Sequence, residues 1–128
     1  MKIRQLTDTI KCSIIGDDVD VKSLALSHND CKDGSIFFCI KGNNCDGEAY
    51  IDSAAKNGAV AVVTTRPIDC SLTDVVVKDV RKAMNAICKR FYSDPQKKLK
   101  LIGVVGTDGK TSVCELTCQM LNEAGVKC

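Results

Sequence analysis

Lys110 and Thr111 are the residues whose types and spacing best suit chemistry. They lie in Gly106-Thr-Asp-Gly-Lys-Thr-Ser112, between the apolar run Leu101, Ile102, Val104, Val105 and a helical pattern that runs on toward Gly125. Read as strand, glycine turn and helix, this order forms an anion site. The glycines let backbone N–H groups come close to phosphate oxygens, and the start of the helix adds its own donors. In such a loop the lysine reaches the β- and γ-phosphates and the hydroxyl that follows it is a Mg²⁺ ligand. Gly106, Thr107, Asp108, Gly109, Lys110, Thr111 and Ser112 are therefore the candidate cofactor-binding residues, with Lys110 as the candidate catalytic cation and Thr111 as the candidate metal ligand. The general phosphate-loop pattern wants glycine at position 104, where Val104 stands, with Gly103 one place early. A strand–turn–helix without a ligand is the alternative reading.

The elements before this loop alternate strands with helices. Residues 2–10 read as a short helix, Lys11 to Ile15 as a strand closed by Gly16, and Val21 to Leu26 as a second strand. A polar corner, Ser27-His-Asn-Asp30, precedes a turn at Gly34 and a strand from Ser35 to Ile40. A helix over 49–57 should turn Tyr50 and Ala54 inward and stop at Gly58, followed by a buried strand from Ala59 to Thr64. Val75 to Val77 is a short strand, and Asp79 can cap a helix running through Tyr92 with Val80, Ala83, Met84, Ile87 and Phe91 facing inward. The fold class is α/β with a mixed sheet, followed by the first strand, phosphate loop and helix of a second domain. Pro95 marks the boundary, so domains of 1–96 and 97–128 are expected. Phe37, Ile40, Val60, Val62, Val76, Ile87 and Phe91 are spaced to build one core in the first.

Composition excludes several classes. In 128 residues, 18 Lys+Arg against 16 Asp+Glu leave a net charge of +2 and no basic footprint, and with aromatic residues at only 4% there are few stacking platforms for nucleic acid. Apolar runs are too short for a membrane span. Nine cysteines, an odd number without a CxxC pair, behind an amino end lacking an apolar signal core, read as reduced thiols of a cytoplasmic protein. Cys39 and Cys88 sit at core-like positions. The single His28 offers no zinc-site spacing.

The loop Gly106-Thr-Asp-Gly-Lys-Thr-Ser112 resembles the Gly-Thr-Asn-Gly-Lys-Thr-Thr loop of the Mur ligases, which also lacks the early glycine; Asp108 stands in place of the Asn. Three further blocks carry the likeness. Asp33-Gly-Ser-Ile-Phe-Phe-Cys-Ile-Lys-Gly42 is similar to Pro-Gly-Asp-Leu-Phe-Val-Ala-Leu-Lys-Gly, and Asp46-Gly-Glu-Ala-Tyr-Ile51 to Asp-Gly-His-x-Phe-Ile. Phe91-Tyr-Ser-Asp-Pro-Gln-Lys-Lys-Leu-Lys-Leu-Ile-Gly103 resembles the approach to the ATP domain in the branch that adds the third residue of the peptidoglycan stem.

This resemblance implies an N-terminal domain that holds the uridine nucleotide of a UDP-N-acetylmuramoyl-dipeptide substrate, and the start of an ATP- and Mg²⁺-binding domain. Family contacts to the nucleotide fall here on Leu26 and His28, within Ser27-His-Asn29 where the family has Asp-Ser-Arg, and on Asn43, Asn44 and Cys45. The implied reaction phosphorylates a substrate carboxylate and lets the amine of an amino acid attack it, which is mostly positioning and charge neutralisation. The chain alone is expected to be inactive, as the amino-terminal segment of such a ligase. The alternatives are a stand-alone UDP-sugar-binding module, a piece of the relative that adds the terminal dipeptide, and an unrelated phosphotransferase.

Overall fold

The computed structural model describes residues 1–41 and 46–128, which divide into two compact units, Met1–Pro95 and Gln96–Cys128. In the first, α1 (Ile3–Leu6), β1 (Cys12–Ile15), β2 (Ser23–Ala25), β3 (Ser35–Phe38), α2 (Ile51–Lys56), β4 (Ala59–Thr64), β5 (Thr73–Val77) and α3 (Val80–Phe91) follow in order. The five strands form one sheet in the order β1-β5-β4-β3-β2. β2, β3, β4 and β5 are parallel, and β1 joins β5 antiparallel, pairing Cys12 with Val77. The mixed α/β sheet read from the sequence is the one observed.

Strand residues alternate between faces, so adjacent phenylalanines go to opposite sides. Ile36 and Phe38 join Ile3, Leu6, Val63, Val75, Val80 and Ile87 under α1 and α3, whereas Phe37, Cys39 and Val62 pack with Ile51 and Ala54 of α2. The single core expected from the spacing is thus two clusters separated by the sheet. Of the residues expected in it, Ile40, Val60, Val76 and Phe91 are only half-buried. Val60 is displaced because the β3–β4 register shifts there: Ser35 pairs with Ala59 and Ile36 with Ala61, leaving one extra residue between.

Helix ends follow local chemistry. The Asp79 carboxylate accepts from the Lys82 N–H at 3.1 Å, starting α3, which ends where Ser93 and Asp94 take the left-handed conformation (φ 57° and 53°). α1 has only four residues of the helix expected over 2–10, because the Thr7 hydroxyl bonds the Ile3 carbonyl at 2.9 Å and Thr7-Asp8-Thr9 favour a turn. Gly58 (φ 97°) lies against the chain before β3, where an added Cβ would meet the Asp33 nitrogen at 2.8 Å.

The second unit holds α4 (Lys110–Glu123) behind the glycine loop. Leu99–Val105 does not form the expected strand: it has no ladder partner among the described residues, and Leu101 and Val105 are 75% and 97% exposed. Apolar β-branched residues extend the backbone, but a strand exists only when a neighbour takes its N–H and C=O groups. The cysteines also depart from the all-thiol reading. Cys118 and Cys128 form a disulfide, while Cys12, Cys31, Cys39, Cys70, Cys88 and Cys114 are free. The pairing is local, bringing the segment after Gly125 back onto α4, and no sequence spacing rule for metal or redox motifs covers it. Among the described residues no helix is long and apolar enough to cross a membrane.

Candidate functional site

Two places carry the sequence-derived site residues, one in each unit. In the second, Gly109 stands at the N-cap of α4 in the left-handed conformation (φ 72°), which a residue with a Cβ adopts only at a cost. No side chain caps this end, and the first turn holds no acidic residue. The N–H groups of the first turn, residues 110–112, consequently have no side-chain acceptor and carry the positive end of the helix dipole. The Lys110 ammonium donates to the Gly106 and Thr107 carbonyls at 2.7 and 2.6 Å, so the cation sits over its own loop. Thr111 and Ser112 are exposed in the first turn, with Thr107 and Asp108 exposed in the loop before it. This donor set suits a polyphosphate: backbone amides, one ammonium, and a hydroxyl able to complete a Mg²⁺ shell. The Asp108 carboxylate, which adds a negative charge to the loop, is the feature that works against it.

In the first unit the polar corner folds into a short 3-10 turn, His28–Asp30, whose start is capped by Ser27 Oγ accepting from the Asn29 N–H at 3.3 Å. The Asn57 side-chain amide donates to the His28 carbonyl at 2.8 Å, tying this turn to the end of α2. A second 3-10 turn, Gly47–Tyr50, is capped by the Asp46 carboxylate accepting from the Glu48 N–H at 3.1 Å. Gly47 is required here, since a Cβ would lie 2.8 Å from the Cys39 Cα and 2.9 Å from the Ile40 nitrogen. The two turns face each other through their rings: His28 stacks on Tyr50 with centroids 4.6 Å apart and planes 2° from parallel.

Around this stack is a hollow of about 250 Å³ whose walls include Leu26, Ser27, His28, Phe37, Ile40 and Tyr50. Leu26 is 62% exposed at its rim. The structure therefore brings Leu26 and His28 together at one concave surface; Asn43, Asn44 and Cys45 lie outside the described residues. Tyr50 is the residue that sequence reasoning missed. Expected on the inward face of α2, it stands instead in the 3-10 turn ahead of that helix, where the tighter winding rotates it out of the core and onto His28. The signal that could have found it is an aromatic residue just beyond a Gly-containing loop.

Glu48 and Asp74 each have side-chain partners. Glu48 receives Arg66 in a two-pronged ion pair, Nη2 at 2.6 Å and Nε at 3.1 Å, which holds the Arg66 guanidinium charged to still higher pH. The segment carrying Arg66 is fixed by Asp74, fully buried, whose carboxylate accepts from the Thr64 hydroxyl at 2.6 Å and the Ile68 N–H at 3.0 Å. Cys39, at the end of β3, has its thiol pushed up to about 12 by burial and then by the nearby carboxylates of Glu48, Asp74 and Asp46, so it stays neutral at physiological pH.

Comparison with known proteins fits this arrangement. Residues 28–92 match the Mur ligase family, catalytic domain. UDP-N-acetylmuramoyl-L-alanyl-D-glutamate–2,6-diaminopimelate ligase from Halalkalibacterium halodurans is 42% identical over 83% of this chain, and that from Caldanaerobacter subterraneus subsp. tengcongensis 40% identical over 99%. The chain spans 22% and 27% of these two relatives. Among solved structures, MurF from Acinetobacter baumannii superposes with a TM-score of 0.77 at 23% identity, covering 94% of this chain and 27% of that one. The MurF ligase of Thermotoga maritima in complex with ADP gives 0.61 at 23% identity, covering 80% of this chain and 24% of its own. With a sheet of matching fold, a family match over half of its length and relatives of this identity, the chain belongs to the Mur ligase family.

Proposed function

We propose that this chain supplies two parts of an ATP-dependent ligase that joins 2,6-diaminopimelate to UDP-N-acetylmuramoyl-L-alanyl-D-glutamate: the surface that receives the uridine nucleotide, and the loop that receives the phosphates of ATP. The names of the relatives support the reaction. The reading is carried by the start of α4, where the first-turn amides have no side-chain cap and lie beside the Lys110 ammonium and the Thr111 hydroxyl. ATP with Mg²⁺ would supply the transferable phosphoryl group. For the chain's own residues, the 106–112 backbone and Lys110 would bind and orient the phosphates, Lys110 exchanging its carbonyl partners for phosphate oxygens, and Thr111 would be one metal ligand.

Uridine recognition is assigned to Leu26, His28 and the 43–45 loop (Asn43, Asn44, Cys45), joined by Tyr50. The His28–Tyr50 pair offers a flat aromatic wall against which a pyrimidine can stack, and main-chain groups of the two capped turns lie beside it. Because the transferring group needs a full set of charges and exclusion of water, residues 1–128 by themselves should bind nucleotides without turning them over.

The test is a residue-resolved NMR titration of the full chain. UMP should shift the amides of 27–29 and 47–50, and ATP with Mg²⁺ those of 106–113. Lys110→Ala should abolish the second response and spare the first. Shifts clustered elsewhere, or an ATP response indifferent to Lys110→Ala, would refute the assignment.

A further inference from the structure

Three cysteines belong to the second unit's helix and the turn behind it, and neither nucleotide assignment uses them. Cys114 and Cys118 lie four residues apart on α4 and so share one face of that helix, while Cys128 returns to Cys118 in a disulfide with Cα atoms 5.4 Å apart. Cys128 is exposed and Cys118 half-buried, which leaves the bond open to solvent on the Cys128 side. Cys114 is a free, exposed thiol.

The backbone brings this pair together through bonds that do not involve sulfur. Behind α4, Gly125 takes the left-handed conformation (φ 76°), the Gly125 N–H donates to the Asn122 carbonyl at 3.0 Å, and the Val126 N–H donates to the Leu121 carbonyl at 2.8 Å. Those two bonds are a Schellman cap. The Asn122 side-chain oxygen then accepts from the Cys128 N–H at 3.0 Å, which returns Cys128 to the turn of helix that carries Cys118. Opening the sulfur bond leaves all three of these bonds in place, so the two thiols stay poised to close again. α4 depends on such closure because it has no buried residue, and a helix of 14 residues is marginal in water without packing.

We propose that Cys118 and Cys128 are a reversible redox site for low-molecular-weight thiols and their disulfides, and that its state sets how firmly α4 is wound behind the glycine loop. In the reductive direction a thiolate RS⁻ attacks the exposed Cys128 sulfur, forming a mixed disulfide there and expelling the Cys118 thiolate, which takes a proton. A second RS⁻ attacks the R sulfur of the mixed disulfide, releasing RSSR and the Cys128 thiolate, which is protonated in turn. Two electrons enter the pair, two RSH become one RSSR, and oxidation is the reverse. Closed, the bond holds the last turn of α4; open, that turn frays more readily, and the loss spreads along a helix that nothing else packs. The site stands whether or not the loop at the other end of α4 takes ATP.

The probe is glutathione, with the full chain equilibrated at graded ratios of its reduced and oxidised forms, quenched in acid, alkylated and mapped by peptide mass spectrometry. Cys118 and Cys128 should become labelled together as the reduced form rises, while Cys114 is never found joined to either of them. Asn122→Ala, which removes the acceptor of the Cys128 N–H and no sulfur, should shift the equilibrium about two- to tenfold toward the dithiol, the scale of one hydrogen bond. Amide hydrogen exchange should be severalfold faster over 119–124 in the reduced chain than in the oxidised one, with a smaller change at 113–116. Cys118→Ser should show the reduced pattern in both buffers, which separates the pair from the other thiols. The proposal is overturned if Cys118 and Cys128 stay bonded, or stay free, at every ratio. It is equally overturned if Cys114 pairs with either as often as they pair with each other, if Asn122→Ala leaves the equilibrium where it was, or if exchange over 113–124 is the same in both states.

Discussion

Cys39 and Cys114 are the same residue type in opposite environments, and the difference is measurable. Cys39 is buried with its thiol held neutral toward about 12, whereas Cys114 is exposed on α4. Since the thiolate is the reactive form, iodoacetamide at pH 8 should label Cys114 first and Cys39 last among the free thiols of the described residues, as peptide mass spectrometry would read. The same burial makes stability fall in alkali. The Cys39 thiol is raised from 9.0 to about 12, so above pH 9 the unfolded chain releases a proton the folded one retains, and the stability present below pH 9 is lost progressively toward about pH 12. Cys39→Ala should flatten the pH 9–11 slope of urea stability; an unchanged slope would assign it to Cys31 and Cys88, whose thiols burial also raises. Residues with local partners were legible in the sequence: Asp79 caps the helix it precedes. Asp74 was not, because its acceptor role depends on Thr64 and Ile68, brought to it only by strand pairing and the returning loop. Tyr50 was misplaced because helical periodicity was extended through a 3-10 turn.

At the scale of elements, type and order were legible and ends were not. Every strand of the sheet lies inside the stretch expected for it or extends it slightly, but β2 and β3 are shorter, since pairing and not propensity decides where a strand stops. The parallel run was implied by alternation with helices, whereas the register shift at Val60 has no sequence signal. Leu99–Val105 shows the limit most clearly, as a strand pattern without a neighbour to pair. Gly58 is where one element decides another: it ends α2, starts β4, and lets the Asp33 backbone pass within contact distance. Gly58→Ala places a Cβ against that backbone at φ 97°, so it should cost at least the 1–2 kcal/mol of left-handed strain. A thermal midpoint several degrees below the parent, with the 27–30 turn and hollow perturbed in the spectrum, is the expected readout.

At the scale of the molecule, the first unit has what an independent fold needs. Two apolar clusters back to back across one sheet, a partnered buried carboxylate at Asp74 and a capped start to α3 all lie within Met1–Pro95. Residues 1–96 should unfold in one cooperative transition, and deletion of 97–128 should leave its midpoint within a few degrees; a broad, non-cooperative melt would refute the boundary. The sheet order also bears on how such a chain is made. Of the five strands of this sheet β1 comes first in the chain, yet its neighbour among the described residues is β5, with Cys12 opposite Val77. A nascent chain must therefore carry the Cys12–Ile15 segment unpaired until Val77 has left the ribosome, while β2, β3 and β4 can already assemble beside one another. While Thr64 is outside the ribosome and Val77 still inside it, β2, β3 and β4 would form a sheet with the β4 edge open, the arrangement most exposed to capture by chaperones or by a neighbouring copy.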